Sequence, residues 1–424
     1  MQRRSFIRSL GASAVLAAGH AAGAAGGKTK ARVVVVGGGY GGATVAKYLR
    51  MWSGGALAVT LVEPNHDFIS CPMSNLVLGG SKQMADIMLS YATLVQRHGV
   101  KLVHELAQAI DPVKRTVRLA GGATLAYDRL VLAPGVDFIW NEVPGMLAPG
   151  AQESVLHAWK AGAQTLALRK QLEAMADGGV FALSIPLAPF RCPPAPYERA
   201  CQVAHYFSQA KKKSRILILD ANEDVASKPE LFKSAWASRY PGMIEYRPSF
   251  QTADVDAKTS TAISDFGDKV AADVLNLIPP QRAGAIAVQA GLANINQRWC
   301  EVDFLTYEST RAKNIHVIGD AIQVASQMPK SGHMANQQAK VCAAAIIDLL
   351  ELRAPNPQPL VANTCYSFMS DRDAAHVASV HAYDAEHKTM QPVPGAGGVS
   401  LTANLQEGRY GMDWARNIWA DCLG

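Results

Sequence analysis

Short apolar runs recur along the chain, and each ends at glycine, proline or an acidic residue. The first is Arg32–Val36, which is mostly valine, and the segment Thr44–Met51 that follows it predicts a helix. Apolar runs of this length, alternating with helices, are typical of parallel strands buried on both faces. The pattern therefore predicts an α/β fold. Further runs predict strands at 58–63, 127–133, 179–186, 214–220 and 314–319.

A glycine-rich turn joins the first strand to the first helix. It has the form Gly37-x-Gly39-x-x-Gly42, and Glu63 ends the next strand. Glycines permit the tight turn and let backbone amides approach a pyrophosphate at a helix N-terminus, while the acid can accept hydrogen bonds from ribose hydroxyls. The order of strand, glycines, helix, strand and acid predicts a dinucleotide site rather than a structural turn.

Two later strand ends indicate which dinucleotide binds. One ends in Ala133-Pro134-Gly135, and the other in Gly-Asp320-Ala. With the glycine turn, they resemble flavoproteins with two dinucleotide domains, typified by glutathione reductase. The resemblance implies FAD, with Asp320 on its ribityl chain. It also implies that Lys330 and the helix after it stabilise the reduced flavin from its pyrimidine side.

The resemblance also implies the architecture: two Rossmann-like domains of the glutathione-reductase type and an α+β C-terminal domain. We expect residues 30–150 and 282–345 to form the FAD domain, with a second Rossmann-like domain, 151–281, inserted between them. Residues 346–424, after a proline-rich linker, would form the C-terminal domain and part of a subunit interface. Residues 1–25 are expected to be an export signal.

The second Rossmann-like domain lacks the glycine turn that an NAD(P)H site requires. Its first strand, 179–186, runs into a segment containing Pro189, Pro193 and Pro194. Proline has no backbone N–H, so the amides that would cradle a pyrophosphate are absent or blocked. We therefore expect electrons to come from a donor other than NAD(P)H.

The N-terminus has the features of a cleaved export signal. Arg3, Arg4 and Arg8 precede an alanine-rich apolar stretch, and Phe6 follows the paired arginines as in twin-arginine signals. An ordinary secretory signal or a basic tail is the alternative. No later segment reaches the ~20 apolar residues of a membrane helix. These features predict a soluble periplasmic protein.

Composition narrows the class of protein. The chain has 424 residues, of which 49% are hydrophobic and 18% charged, which excludes general disorder and suits a multidomain enzyme. The formal net charge of +6 is too small to favour nucleic acid, particularly once the signal arginines are removed. Seven cysteines in so long a chain do not form a disulfide scaffold.

Three cysteines lie in distinctive segments. Cys192 opens Cys-Pro-Pro-Ala-Pro-Tyr-Glu198-Arg, Cys365 lies in Asn-Thr-Cys-Tyr, and Cys71 follows Glu63 by eight positions. From spacing alone, Cys192 and Cys365 could form a structural disulfide, Cys71 could be a buried thiol, and Glu198 could be a first-turn acid of a helix. The remaining four cysteines lack the paired spacing of a metal site, and no metal is expected.

Together, these segments resemble flavocytochrome c sulfide dehydrogenase, flavoprotein subunit, over nearly the whole chain after the signal. The resemblance implies that Cys71 is thioether-linked to the 8α-methyl of FAD. It also implies that Cys192 and Cys365 form a redox-active disulfide that hydrosulfide attacks, with Glu198 handling protons. The resulting persulfide would be released as sulfur or polysulfide, and the electrons would pass through the flavin.

The resemblance also implies a partner that carries heme. Because the sequence contains no Cys-x-x-Cys-His, the heme must lie on a separate c-type cytochrome subunit, which gives a heterodimer. Two alternatives remain. A sulfide:quinone oxidoreductase shares the fold and cysteine chemistry but needs a membrane-binding end, for which the weakly amphipathic 412–423 is poor. A non-catalytic flavoprotein subunit of a sulfur-oxidation assembly would tolerate the loss of a redox cysteine, but both are present.

Overall fold

The computed structural model describes residues 30–424, which contain 22 strands and ten α-helices. Residues Ala31–Gly424 form one unit. Its strands are β1 (Arg32–Val36), β2 (Ala58–Val62), β3 (Asp67–Ile69), β4 (Met88–Ser90), β5 (Lys101–Val103), β6 (Ala107–Asp111), β7 (Thr116–Leu119), β8 (Thr124–Ala126), β9 (Arg129–Leu132), β10 (Val136–Phe138), β11 (Val180–Ile185), β12 (Arg215–Asp220), β13 (Ile244–Arg247), β14 (Thr252–Asp256), β15 (Thr261–Ser264), β16 (Lys269–Ala271), β17 (Val274–Leu277), β18 (Gln281–Ala283), β19 (Ile315–Val317), β20 (Leu360–Phe368), β21 (Ala374–Asp384) and β22 (Thr389–Val399).

The α-helices of the described residues lie between groups of these strands. They are α1 (Tyr40–Trp52), α2 (Ser74–Gly79), α3 (Ala92–Gln96), α4 (Ala151–Ser154), α5 (Ala163–Ala174), α6 (Ala195–Ala210), α7 (Pro229–Arg239), α8 (Ala285–Gln289), α9 (Gly332–Leu350) and α10 (Leu405–Leu423).

The first sheet is parallel and has the strand order β19-β9-β1-β2-β5. The four valines of β1 are at most 6% exposed, which fits a central strand covered on both faces. Helices α1 and α9 lie against each other in the same core. Because β19 comes from residues 315–317 and the other strands from before residue 133, this sheet joins two distant parts of the chain.

The second sheet is also parallel, with the order β13-β12-β11-β17. Helices α5, α6 and α7 carry the buried side chains that cover it, including Leu168, Phe207 and Phe232. Two parallel sheets with helices on them confirm the predicted fold class of two Rossmann-like domains.

The C-terminal part of the chain has the predicted α+β composition. Strands β20, β21 and β22 form an antiparallel sheet, with a register irregularity between Ser379 and His381. Helix α10 ends against α1, because Lys47 Nζ donates to the carbonyl oxygens of Ala420 and Asp421, each at 3.0 Å. The long strand β20 packs against α9 and carries Cys365, which lines the cleft described below.

The predicted export signal, residues 1–25, lies outside the described residues. Within residues 30–424, no helix combines the length and apolar character needed to cross a membrane.

Candidate active site

The carboxyl ends of β1 and β9 and the turn after β19 open onto one cleft. This is the edge of a parallel sheet at which ligands bind in open α/β folds. All site residues predicted from the sequence line the cleft, except Gly42 and Lys330. The predicted residues that line it are Gly37, Gly39, Glu63, Cys71, Pro134, Gly135, Cys192, Glu198, Asp320 and Cys365.

The glycine turn forms a cradle for a phosphate group. Gly37 has a φ of +96°, and a Cβ there would collide with the carbonyl oxygen of Ala133. A Cβ on Gly42 would collide with the carbonyl oxygen of Gly37, so both glycines are needed for packing. A Cβ on Gly39 would meet no protein atom within 4 Å, although Gly39 lines the cleft. The open space at Gly39, at the N-terminus of α1, therefore fits a pyrophosphate.

Glu63 lies where a ribose acceptor is expected, directly after β2. The residue is 8% exposed, and its carboxylate accepts hydrogen bonds from Gly38 N at 2.7 Å and Asn65 Nδ2 at 2.6 Å. These bonds fix the carboxylate beside the glycine turn. Oε1 also accepts from Asn65 N at 2.9 Å, so Oε2 is the oxygen that retains a second lone pair for a ligand hydroxyl.

Asp320 supports the assignment of a bound flavin nucleotide. Its Oδ1 is closed to solvent and has no hydrogen-bond partner. Burial raises the pKa of the carboxyl group, and the positive charges of Arg191 and Lys330 oppose this shift. A buried carboxylate oxygen without a partner carries a desolvation penalty, which a ligand hydroxyl would remove. The cleft residues therefore fit FAD, with Asp320 available for its ribityl chain.

Lys330 differs from the expectation that it acts on the flavin. Its Nζ donates to the carbonyl oxygens of Asp320 at 3.0 Å and Ile322 at 2.5 Å, and lies 3.8 Å from the centre of the Trp299 ring. Burial lowers the pKa of the Lys330 ammonium to about 7. The side chain thus supports the turn that carries Asp320, while Ser331 and the N-terminus of α9 line the cleft.

Cys192 and Cys365 reach the same cleft from segments far apart in the chain. Cys192 lies in the loop before α6 with a φ of +56°, and its N–H donates to the Lys330 carbonyl at 2.7 Å. Cys365 lies on β20, with its Sγ 3.4 Å from Asn363 Nδ2. All seven cysteines fall in the described residues and are free thiols here, so the predicted disulfide stays a prediction.

The two thiols interact electrostatically. Burial raises the pKa of Cys192 strongly, and the negative charges of Cys365 and Glu198 raise it further. Burial also raises the pKa of Cys365, but the ammonium of Lys228 opposes the shift. The pair therefore lies in a low-dielectric pocket where nearby charges control ionisation.

Cys71 lies between β3 and α2 and contacts an arginine. Arg191 Nη1 donates to Cys71 Sγ at 3.2 Å, while another N–H group of Arg191 donates to the carbonyl of Trp159. Although burial opposes it, the negative charges of Cys71, Asp320 and Cys192 raise the pKa of Arg191. Cys71 is thus a cleft thiol whose sulfur lies within hydrogen-bond distance of a guanidinium group.

Glu198 connects three parts of the site. It lies in the first turn of α6 and is 9% exposed. Its Oε1 accepts from Phe368 N at 2.8 Å and its Oε2 from Asn75 Nδ2 at 2.7 Å. Burial raises its pKa, and these hydrogen bonds and the charges of Lys228 and Arg199 oppose the shift. Its two acceptor bonds show that it does more than cap a helix.

The sequence reasoning missed several charged and polar residues around the thiols. Arg191 and Arg199 flank the recognised Cys192–Glu198 segment, so their position beside it was a usable signal. Asn75 lies four positions after Cys71 and contacts both Glu198 and Arg199. Lys228 is the residue before α7, far along the chain from the cysteine segments, and no motif distinguishes it.

The cleft of the second domain differs from an NAD(P)H site in one further respect. Asp220 ends β12, the position of a ribose acceptor. Its Oδ2 accepts from Tyr197 at 2.6 Å and Tyr246 at 3.1 Å, and its Oδ1 accepts from Asn222 Nδ2 at 2.7 Å. The carboxylate of Asp220 is therefore already hydrogen-bonded to side chains of the protein. In addition, the segment after β11 has prolines in place of the glycine turn.

The glycine cradle, the unpartnered Asp320 and the paired Rossmann-like sheets define an FAD-dependent oxidoreductase fold. In agreement, residues 31–177 match the family model "Pyridine nucleotide-disulphide oxidoreductase". Residues 165–279 match "Sulfide dehydrogenase [flavocytochrome c] flavoprotein chain, central", and residues 357–423 match "Flavocytochrome c sulphide dehydrogenase, flavin-binding". The chain belongs to the flavocytochrome c sulfide dehydrogenase flavoprotein family.

Individual relatives agree with this assignment. The chain is 61% identical over 46 residues to the sulfide dehydrogenase [flavocytochrome c] flavoprotein chain of Chlorobaculum thiosulfatiphilum, a match that covers 11% of this chain and 94% of that sequence. It is 22% identical over 320 residues to the mitochondrial sulfide:quinone oxidoreductase of Mus musculus, covering 69% of this chain and 66% of the relative. This chain thus spans about two thirds of that relative's length.

A solved structure shows the same fold. The sulfide:quinone oxidoreductase from Aquifex aeolicus superposes with a TM-score of 0.76 over 92% of this chain and 91% of that chain, at 19% identity. At this identity the likeness concerns the fold alone.

Proposed function

We propose that this chain is the sulfide-oxidising flavoprotein subunit of a flavocytochrome c. The observation that carries the proposal is the meeting of Cys192 and Cys365 in the cleft that also contains the glycine cradle and Asp320. A thiol pair beside a flavin site is the arrangement needed to oxidise a sulfur nucleophile by thiol–disulfide exchange.

FAD is the proposed cofactor. Gly37 and Gly39 would cradle its pyrophosphate, Glu63 its ribose and Asp320 its ribityl chain. Cys71 is the proposed site of a thioether bond to the 8α-methyl group. When bound, FAD supplies an acceptor for two electrons that can pass them on singly.

The cysteines would perform the sulfur chemistry from their disulfide state. Hydrosulfide attacks one sulfur; the Cys192–Cys365 bond breaks, leaving a persulfide on one cysteine and a thiolate on the other. A second hydrosulfide takes the outer sulfur away as HSS⁻, with release of a proton, and leaves two thiolates. Re-forming the disulfide releases two electrons. The overall change is two HS⁻ to one HSS⁻, one proton and two electrons.

Glu198 is the proposed proton carrier. Its burial raises the pKa of the carboxyl group, so a neighbouring thiolate or persulfide can exchange a proton with it at moderate energetic cost. Its hydrogen bonds to Asn75 and Phe368 N hold the carboxylate at the cleft wall.

The donor and the acceptor complete the proposal. Sulfide, rather than NAD(P)H, would reduce the protein, because Asp220 is fully engaged by protein groups and prolines replace the second glycine turn. A separate c-type cytochrome subunit would accept the electrons. Export to the periplasm through the twin-arginine route would let the chain bind its cofactor before it meets that subunit.

A sulfide:quinone oxidoreductase is the second proposal, favoured by the similarity to the mouse enzyme over 320 residues. The two proposals share the cysteine chemistry and differ in the acceptor. A non-catalytic flavoprotein subunit is a weaker third, because it needs neither Cys192 nor Cys365.

Serine variants test the proposed chemistry. Cys192→Ser and Cys365→Ser should each abolish sulfide-dependent reduction of cytochrome c, while flavin content is retained. Cys300→Ser is the matched control, because Cys300 is fully buried outside the cleft, and it should keep wild-type turnover. Full sulfide oxidation in either cleft variant would exclude the disulfide mechanism.

A further inference from the structure

Three cations lie around the thiol pair, of which Arg199 and Lys228 are buried and Arg191 is partly buried, and none of them has a carboxylate as its hydrogen-bond partner. Arg199 donates to amide and carbonyl oxygens, such as Asn276 Oδ1 at 2.8 Å and the carbonyl of Ala158 at 2.7 Å. Arg191 donates to Cys71 Sγ and a carbonyl. The third cation is Lys228. The direct hydrogen bonds of these three cations therefore leave their positive charge unneutralised beside the cysteines.

Lys228 lies directly behind the strand that carries Cys365. Its Nζ donates to the Cys365 carbonyl at 3.1 Å, to Ser367 Oγ at 2.8 Å and to the Ala375 carbonyl at 3.5 Å. These three acceptors match the three N–H groups of an ammonium ion. The residue is 5% exposed, so the charge is fixed beneath β20 and shielded from water.

A buried ammonium ion requires negative charge nearby. Burial lowers the pKa of Lys228 to about 8, and the negative charges of Cys365, Glu198, Cys192 and, more weakly, Glu407 oppose this shift. Among the neighbouring charges, Lys228 has the largest effect on the pKa of Cys365. On the pKa of Cys192, the effect of Lys228 is smaller than that of Arg191. The charge of Lys228 thus acts chiefly on the sulfur of Cys365.

We propose that Lys228 is a positioning residue that stabilises negative charge on the sulfur at Cys365, whether thiolate or persulfide. The inference rests on the proposed sulfide chemistry and deepens it. When hydrosulfide opens the disulfide, one S–S bond breaks, another forms to the incoming sulfur, and both sulfur chains become ionisable. Lys228 supplies the positive charge that makes the anion at position 365 favourable in a site with little water.

Alkylation of the reduced holoprotein tests this directly. The protein is reduced with dithiothreitol and desalted under argon, and iodoacetamide labelling of Cys365 and Cys192 is followed by mass spectrometry between pH 6 and 9. In Lys228→Met, labelling of Cys365 at pH 7 should be about tenfold slower or more, since loss of a cation near a thiol raises its pKa by about one unit or more. Labelling of Cys192 should change less.

Two variants separate charge from packing. Lys228→Arg keeps the positive charge and should label Cys365 within about threefold of wild type, within the context dependence of such pairs. Because Lys228 has a φ of +57°, lysine, methionine and arginine meet the same backbone cost there. Lys233→Met is the matched control, because this partly exposed lysine on α7 pairs with Asp224, and it should leave labelling unchanged.

The contrary results are equally specific. Equal labelling of Cys365 in Lys228→Met and wild type, or an arginine variant as slow as the methionine variant, would overturn the proposal. Should Lys228→Met not fold, Ser367→Ala removes the shortest hydrogen bond of the ammonium group; slower labelling of Cys365 is expected, and an unchanged rate would overturn it. Sulfide failing to reduce the wild-type flavin would refute the proposed function and leave this labelling result intact.

Discussion

Replacing Gly39 with alanine separates binding of a dinucleotide from folding of its domain. Gly39 precedes α1 with a φ of −68°, which alanine adopts without strain, and a Cβ there meets no protein atom within 4 Å. The methyl group would instead project into the cleft where a pyrophosphate is expected. Gly42→Ala is the contrasting variant, because its Cβ collides with the carbonyl oxygen of Gly37.

The two substitutions are expected to have different free-energy costs. Gly39→Ala should lower the unfolding free energy of the flavin-free protein by less than about 1 kcal/mol, the size of N-cap effects. In the complex, the methyl group overpacks a close contact, at a cost of about 1–3 kcal/mol. That cost corresponds to roughly 5- to 150-fold weaker FAD binding. Gly42→Ala should destabilise the flavin-free protein itself by about 1–3 kcal/mol, because the backbone must move.

The assay uses a Cys71→Ser background, so that the affinity measured is that of reversible binding. FAD fluorescence quenching gives the Kd of the flavin-free protein, and urea unfolding gives its stability. Wild-type affinity for FAD in Gly39→Ala would refute the placement of the pyrophosphate at this turn. A large loss of stability in the same variant would refute the claim that Gly39 serves the ligand rather than the packing.

Three further outcomes follow from the site. Burial lowers the pKa of His157 from 6.5 to about 3. Above pH 6.5 the imidazole is neutral in both the folded and the unfolded chain, so the folded state keeps its full stability. As pH falls from 6.5 toward 3, the unfolded chain takes up a proton that the folded chain does not, and stability is lost. At pH 5 the loss is about 2 kcal/mol, and urea unfolding of His157→Gln should show less acid sensitivity. Arg191→Met should reduce the fraction of flavin that stays attached after acid precipitation by several-fold, and an unchanged fraction would contradict the Arg191–Cys71 contact. Tyr197→Phe should cost about 1–3 kcal/mol in urea unfolding by leaving Asp220 under-bonded, and no loss would remove its structural role.

Local pattern predicted the parts of the fold that depend on neighbouring residues. The valine run of β1, the glycines after it and Glu63 after β2 were recognisable, because strand, turn and acid follow one another in the chain. Asp320 was recognised from three residues at a strand end. These features are read from sequence because backbone geometry and ligand approach restrict which residues can occupy them.

The charged surroundings of the thiols could not be predicted in the same way. Lys228 and Asn75 reach Cys365 and Glu198 only through tertiary contacts that bring distant segments together. A lysine in sequence is most often solvated, so its burial here had no local signal. Lys330 shows the converse: its neighbourhood was predicted, but hydrogen bonds to two carbonyl groups direct its ammonium out of the cleft.

An anaerobic titration of the purified protein with sulfide, with NADH in a parallel cuvette, tests the central claim most directly. Flavin absorbance near 450 nm is followed, and oxidised cytochrome c is then added. The account predicts bleaching by sulfide but not by NADH, and recovery of the absorbance on addition of the cytochrome. Bleaching by NADH but not by sulfide would contradict it and identify an ordinary pyridine-nucleotide flavoenzyme. Bleaching by sulfide with recovery by a quinone alone would establish the quinone reductase instead.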